Sequence, residues 1–299
     1  MNKAPTSTQP GVSVIIPCHD EEGAVAATIA DVREALGKVT GPWEVIAVND
    51  GSYDTTGKIL DELAGRLEGV RVIHNRFNRG YGASLKRGLA EAQYDRVLIT
   101  DADGTYPNSR IPEFIAGLES ADMVVGARIG SNVQIPWARR PAKWALLKYA
   151  RWMAKADIKD VNSGMRAIWA RHVHTFWYML PDGFSFTTTI TMASHINRLH
   201  VDYLPIDYFK RVGKSSIRPL RDTFNFFLLV LRSTMYFRPL QVFGSLALIM
   251  MLLALGTAVV AKATGALIPD IFTITVFMAG VNFLGLGLLG DLINSHRPW

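Results

Sequence analysis

The sequence predicts an α/β chain: a doubly wound, mostly parallel sheet, followed by an interfacial helix and a transmembrane helical hairpin. Three observations predict it. Over roughly the first two hundred residues, short apolar runs alternate with helical patterns, as in parallel sheets covered by helices on both faces. Polar clusters at 19–22, 49–52 and 101–103 directly follow apolar runs, and such sheets gather ligands at the carboxyl ends of their strands. Finally, residues 240–261 and 271–290 lack any formal charge. At about 1.5 Å per residue each spans roughly 30 Å, the thickness of a hydrocarbon core.

The elements follow in order. Residues 12–17 (VSVIIP) read as a buried strand and 22–36 as an amphipathic helix. Residues 43–48 form the second strand, ending in the turn Asn49-Asp50-Gly51-Ser52, and Asp54 N-caps a helix running to about 67. Residues 70–74 are a third strand and 81–93 a helix. The fourth strand, 96–100 (RVLIT), runs directly into Asp101-Ala102-Asp103-Gly104. A helix over 107–119 and a strand over 123–127 follow.

Composition agrees with a membrane-attached protein. The chain is 49% hydrophobic and 19% charged, apolar for its length, and its C-terminal fifth holds much of the excess. The single cysteine, Cys18, excludes an internal disulfide and reads as a small buried residue. Residues 1–10 are polar and Pro-rich with no apolar core, a disordered tail rather than a signal peptide. The net charge of +6 suits nucleic acid, an anionic membrane surface or phosphorylated substrates alike, so its sign alone decides nothing; nucleic acid is not an expected partner. Arg232, Arg238, His296 and Arg297 flank the two apolar runs, whereas the loop between them holds only Lys262 and Asp270. The positive-inside rule therefore places both ends and the sheet domain in the cytoplasm, at an inner (plasma) membrane crossed twice. Gly280, Gly285, Gly287 and Gly290 would let the two helices approach closely. Between sheet and hairpin, 214–238 mixes Arg218, Arg221 and Arg232 with Phe224, Phe226, Phe227, Leu228, Leu229 and Leu231, as in a helix lying in a membrane interface; a plain core helix is the alternative. The expected domains are thus 11–213, 214–238 and 239–299.

The chemistry centres on Asp101 and Asp103. Two carboxylates at a strand end can hold a hard divalent cation, Mg²⁺ or Mn²⁺, which bridges phosphates. Asp50 and Glu21 offer carboxylates for a nucleobase or ribose, though Asp50 also suits a plain turn and Glu21 a helix N-terminus. His19 could pack beside a base, with a plain surface histidine as the default reading. Asn78-Arg79-Gly80-Tyr81-Gly82-Ala83-Ser84 opens a helix whose glycines admit close backbone approach and whose N-terminus favours anions; an ordinary capped helix start is the alternative.

Taken together, Pro17 with Glu21, the Asn49-Asp50-Gly51-Ser52 turn with Asp54, Asn78-x-Gly80-x-Gly82 and Asp101-Ala102-Asp103-Gly104 resemble family 2 glycosyltransferases of the A-type fold. Asp160-Val161-Asn162-Ser163-Gly164-Met165-Arg166 is similar to the Asp-x-x-x-Gly-Phe-Arg element of the polyprenyl-phosphate branch, which includes dolichol-phosphate mannose synthase. The resemblance covers roughly 11–216, and the hairpin is similar to that of two-helix bacterial members. Asp20 stands where the family usually has Asn, Met165 replaces Phe, and Thr105 stands where many members have Gln near the metal.

The resemblance implies a nucleotide-diphosphate sugar donor, a divalent metal and a polyprenyl (undecaprenyl) phosphate acceptor that attacks the anomeric carbon with inversion. It implies Asp101 and Asp103 as metal ligands and Asp103 and Asp160 as catalytic residues. Asp160 is a base or an orienting carboxylate, the latter favoured; the cap of a local turn is the alternative. The implied nucleotide-binding set is Pro17, His19, Glu21, Asp50, Ser52, Asn78, Gly80, Lys86, Asp101 and Ala102. Arg128, Arg139, Arg140, Arg211 and Lys214 are the cations expected at the acceptor phosphate. Arg139 and Arg140, set among Trp137, Trp144 and Trp152, also suit a membrane surface. A uridine diphosphate sugar is the favoured donor and a homotetramer the implied assembly. The alternatives are a GDP-mannose-dependent mannosyltransferase, a polysaccharide-forming transferase (which would need more membrane helices and a Gln-x-x-Arg-Trp motif) and a non-catalytic sugar-nucleotide-binding scaffold.

Overall fold

The structure, a computed structural model, describes residues 9–130, 140–183, 185–211, 235, 238–264 and 270–295. Most of the expected tail and the interfacial helix over 214–238 lie outside the described residues, as do Arg139 and Lys214. Two compact units are present, Met1–Arg218 and Pro219–Trp299.

The first unit is built on β1 (Gln9–Cys18), β2 (Trp43–Asn49), β3 (Val70–His74), β4 (Tyr94–Ile99), β5 (Met123–Ala127), β6 (Arg166–Trp169) and β7 (Val201–Pro205). They form one sheet in the order β3-β2-β1-β4-β6-β5-β7. Central β1 is apolar from Val12 to Ile16 except for Ser13 because both of its faces are covered: Val12, Val14, Ile15 and Ile16 are wholly buried, and the Ser13 hydroxyl donates to Glu44 Oε1 at 2.7 Å. The helix α1 (Val25–Leu36) buries Val25, Ile29, Val32 and Leu36, a stripe at helical spacing that packs on one face. On the other face lies α3 (Tyr81–Glu91), brought close by Gly88, where a Cβ would stand 2.6 Å from Ile15 Cγ2. The helix α2 (Thr56–Arg66) connects β2 to β3. Its N-cap position is Thr55 rather than Asp54, although Asp54 Oδ1 still accepts the Thr56 N–H at 2.9 Å. The helix expected over 107–119 is a 3₁₀ turn at Asn108–Arg110 followed by α4 (Ile111–Gly117).

Two strands beyond the five expected from sequence decide where the site lies. The strand β6 runs antiparallel between β4 and β5, with Arg166 opposite both Ile99 and Val125. Reversal brings the segment before it, 160–165, to the carboxyl edge of the parallel strands. In turn β7 runs parallel to β5, with Pro205 beside Ala127, and delivers 206–211 to that same edge. The intervening helices are α5 (Arg140–Ala154), α6 (Ala170–Phe176) and α7 (Phe186–Ile196).

The second unit is a pair of helices, α8 (Pro239–Thr264) and α9 (Asp270–Ser295). Pro239–Ala263 and Ile271–Ile293 are long and apolar enough to cross a membrane, with mean hydropathies of 2.3 and 1.9. They pack antiparallel: Gly280 lies against Met251, Gly287 against Phe243 and Gly290 against Pro239. Gly285, expected at this seam, has nothing within 4 Å and faces away.

Candidate active site

The loops that follow β1, β2 and β4 meet at the carboxyl edge of the sheet because these strands are adjacent and in register there, with Cys18 opposite Asn49 and Ile15 opposite Ile99. Pro17 closes β1 opposite Val48. The loops after β1 and β2 then bind each other. Asp20, at φ 53, accepts the Tyr53 N–H at 2.8 Å, and its own N–H donates to Ser52 Oγ. Glu21 N–H donates to Thr56 Oγ1, and Glu22 accepts from Thr55. His19 Nδ1 donates to the Asp50 carbonyl at 3.0 Å and its ring stands edge-on to Tyr53. Ser52 Oγ donates to Asn49 Oδ1 at 2.6 Å.

Asp50 is buried and already ligated by the protein. Its Oδ1 accepts from Asn75 Nδ2 and the Arg79 N–H, and its Oδ2 from the Gly80 N–H. It therefore orders the 75–80 loop as well as lining the site. Gly80 in that loop and Gly82 in the first turn of α3 both pack against protein backbone. A Cβ on Gly80 would stand 2.8 Å from the Asp182 carbonyl oxygen, and one on Gly82 would collide with that of Pro181. Ala83 N–H donates to Asp182 O, so the 181–183 backbone closes on this helix start. Lys86 joins the same seam, its Nζ 2.8 Å from Asp182 Oδ1, and the Asn78 side chain accepts the Gly80 N–H within the loop.

Asp101 and Asp103 follow β4. Asp103 is turned by Thr105, whose Oγ1 donates to Oδ1 at 2.6 Å and whose N–H donates to the same atom at 3.2 Å. Position 105 thus acts on the Asp103 carboxylate directly, through its hydroxyl and its own N–H. Asp101 Oδ1 accepts the Tyr81 hydroxyl at 2.9 Å. Burial, reinforced by the charge of Asp103, pushes the Asp101 carboxyl well above its usual range. Ala102 between them is buried, its carbonyl accepting from Thr28 Oγ1. Glu21 is likewise pushed up to about 7, first by burial and then by Asp103, against the lowering effect of Arg211.

Among the described residues, no three His, Cys, Asp or Glu side chains gather as a metal cage. The donor set nonetheless fits Mg²⁺ or Mn²⁺. Such ions are held by one or two carboxylates, with substrate phosphates and water completing the shell, and the mutual repulsion of Asp101 and Asp103 is what a cation relieves.

The 160–166 segment closes the site. Asp160 is wholly buried, and Arg128 grips it: Nε lies 2.8 Å from Oδ2 and Nη2 2.9 Å from Oδ1. The Arg128 guanidinium also stands 5.3 Å above the Tyr208 ring. Four residues on, Gly164 packs so tightly on Asp101 that a Cβ would stand 2.7 Å from Oδ2, and its N–H donates to Tyr106 Oη at 2.6 Å. Arg166, wholly buried, ties this segment to α7 through the Ser163 and Thr187 carbonyls and Thr191 Oγ1.

Arg211, assigned from sequence to the acceptor phosphate, reaches instead into the carboxylates: Nη2 hydrogen-bonds Glu21 Oε1 and Nε stands 3.6 Å from Asp103 Oδ2. Arg140 begins α5. Tyr81, Tyr106, Asn75, Gly164 and Tyr208 are the site residues that sequence reasoning left unassigned. Tyr81 and Gly164 lay inside the motifs already singled out; the other three carried no signal of their own.

Comparison with known proteins agrees with this fold. The family model described as glycosyl transferase family 2 matches residues 13–178. The chain is similar to an undecaprenyl-phosphate 4-deoxy-4-formamido-L-arabinose transferase of Aeromonas hydrophila, 28% identical over 94% of this chain and 88% of that protein. It is equally similar to the protein of that name from Pseudomonas fluorescens, 28% identical over 94% and 84% of the two chains. Its fold resembles that of glucosyl-3-phosphoglycerate synthase from Mycobacterium tuberculosis, solved with Mn²⁺, uridine diphosphate and phosphoglyceric acid. The TM-score is 0.57 at 18% identity, over 76% of this chain and 78% of that one.

Proposed function

The chain belongs to glycosyl transferase family 2, and on that premise we propose that it moves a sugar, with inversion, from a uridine diphosphate sugar to undecaprenyl phosphate at the cytoplasmic face of a membrane. One observation carries the reading. A single segment packs Gly164 on the Asp101 carboxylate and, four residues earlier, presents Asp160 to Arg128. It thereby joins a carboxylate pair suited to the donor diphosphate and metal to an arginine suited to a second phosphate. The two relatives named for transfer to undecaprenyl phosphate support the acceptor, and the helices α8 and α9 support membrane attachment. The fold neighbour that binds Mn²⁺ and uridine diphosphate supports the donor and metal.

The residues divide the labour as follows. Asp101 and Asp103 would hold a divalent cation, which when bound offsets the charge that develops on the departing diphosphate. Tyr81 and Thr105 orient those carboxylates. Glu21, Asp50 and the rim formed by His19 and Tyr53 receive the nucleoside. A lipid phosphate with a second pKa of about 6 is largely an oxyanion at neutral pH. One of its oxygens can attack the anomeric carbon without a strong base, forming the new oxygen–carbon bond as the bond from that carbon to the diphosphate oxygen breaks and the nucleoside diphosphate leaves. Asp160 therefore works as the holder of Arg128, and positioning and electrostatics supply the catalysis. Residues 11–213 form the cytoplasmic catalytic domain in this reading, and 239–299 its anchor.

The test is to incubate purified chain with a panel of labelled nucleotide sugars, Mg²⁺ or Mn²⁺, and undecaprenyl phosphate. Label should enter the lipid product with a uridine diphosphate donor. Undiminished transfer by Asp103→Ala would sink the metal assignment, and no lipid product with any donor would leave a binding scaffold.

A further inference from the structure

Residues 140–155 contain Arg140, Lys143, Lys148, Arg151 and Lys155 and no acidic residue. In the structure they wind into α5 and its C-terminal end, and Trp144, Lys148, Arg151, Trp152 and Lys155 are all exposed, at the i, i+4, i+7, i+8 and i+11 positions of one helical face. Trp144 is 64% and Trp152 61% exposed, a large apolar area to leave in water. Lys148 Nζ stands 5.1 Å over the Trp144 ring, and Trp152 packs beside Tyr149 at 6.1 Å. Opposite, Ala150, Met153 and Ala154 are buried and anchor the helix to the domain. Arg151 is fixed as well: Nε donates to the Ile158 carbonyl at 2.7 Å while Nη2 pairs with Asp157, so its charge is shared.

We propose that this face of α5 is a membrane-docking surface, with Trp144 and Trp152 seated in the headgroup layer and Lys148 and Lys155 on anionic phospholipid. Tryptophan, half apolar and half polar, partitions to that layer, and cations interspersed with it complement an anionic leaflet. A second copy of the chain is a poorer occupant, because two such faces would bring like charges together. The bilayer is also at hand, since the same chain holds two helices long and apolar enough to cross one. The inference rests on membrane attachment and not on the transfer reaction. Its consequence is that the catalytic domain meets the membrane through its own surface as well as through its anchor.

The test uses the full chain in lipid nanodiscs rich in phosphatidylglycerol. Lys148→Cys leaves both tryptophans in place, and Lys58→Cys on α2 is the solvent-exposed control. Cys18 is buried and burial pushes its thiol up, so a nitroxide goes to the introduced cysteine. The collision ratio of lipid-soluble oxygen to a water-soluble nickel chelate should be several-fold higher at 148 than at 58. Adding Trp144→Ser and Trp152→Ser should bring it down to the control. A ratio at 148 no higher than at 58 would overturn the proposal. So would dipolar broadening between labels at 148, which would mean that a second copy covers the face. Neither readout depends on sugar transfer, so failure here is distinct from failure of the proposed reaction.

Discussion

Arg128 holds Asp160 through both carboxylate oxygens in the interior of the domain, with Nε and Nη2 at 2.8 and 2.9 Å, and its guanidinium lies over Tyr208. A planar fork against a buried carboxylate is rigid, so Arg128 can meet a phosphate without first being ordered. Replacing Asp160 with Ala leaves the arginine charge buried with the neutral Asn162 amide in place of its carboxylate partner, and breaking such a pair costs about 3–5 kcal/mol of stability. The expected outcome is a lowered melting temperature and a loss of transfer, while uridine diphosphate affinity changes little. Equal loss of nucleotide binding would place Asp160 on the donor side instead.

Tyr81 is a positioning residue for Asp101. Its hydroxyl donates to Oδ1, and partners that orient metal-binding carboxylates commonly contribute 10–100-fold in affinity. Tyr81→Phe should weaken Mn²⁺ binding by roughly tenfold, read by the free-ion Mn²⁺ resonance signal in the presence of uridine diphosphate. Unchanged binding would mean that the contact only packs the helix start.

Gly164 and Gly65 should respond oppositely to a methyl group. A Cβ at 164 would stand 2.7–3.0 Å from the carboxylate of Asp101, whereas one at 65, inside α2, meets nothing within 4 Å. Gly65→Ala should raise stability by about 0.5–1 kcal/mol through helix propensity. Gly164→Ala should displace Asp101 and abolish most metal-dependent transfer. The pair is checked by thermal unfolding and by initial rates on the same preparations.

Much of this site was legible in the sequence, and the reasons are local. The apolar runs of β1, β2 and β4 mark strands because these strands are buried on both faces, and the polar residues that follow them fall at the ligand edge by chain order alone. The strand β6 escaped because it is four residues long and starts with a buried arginine, Arg166, which breaks any apolar pattern. Without β6 the antiparallel reversal that carries Asp160 and Gly164 to the edge is invisible, even though the motif itself was recognised. Gly80 and Gly82 announced close backbone approach, but a sequence does not say whose backbone approaches; here it is 181–183. Arg211 likewise read as a phosphate-binding cation, and only the parallel pairing of β7 with β5 brings it to Glu21 and Asp103.

Away from the site, Asp122 ties the far edge of the sheet together, its Oδ2 accepting the His200 N–H at 3.0 Å and its Oδ1 facing His172 Nε2 at 2.8 Å. Burial opposes its charge, but these hydrogen bonds prevail and hold its carboxyl below the usual aspartate range. A carboxylate depressed in the folded state contributes stability above its unfolded pKa and loses it as pH falls through the folded value. Asp122→Ala should therefore cost on the order of 1–2 kcal/mol at pH 7. That difference should shrink steadily below about pH 4. A pH-independent difference in unfolding midpoint would show that packing, not charge, accounts for the residue.

The central claim is that the acceptor is a lipid phosphate, and a competition measures it directly. The purified chain is offered undecaprenyl phosphate and phosphoglyceric acid together, with one labelled uridine diphosphate sugar and Mn²⁺, and the label is partitioned between organic and aqueous phases. The account predicts label in the organic phase, lost in both Asp103→Ala and Asp160→Ala. Label that accumulates in a soluble phosphoglycerate product, with the lipid phosphate untouched, would contradict it.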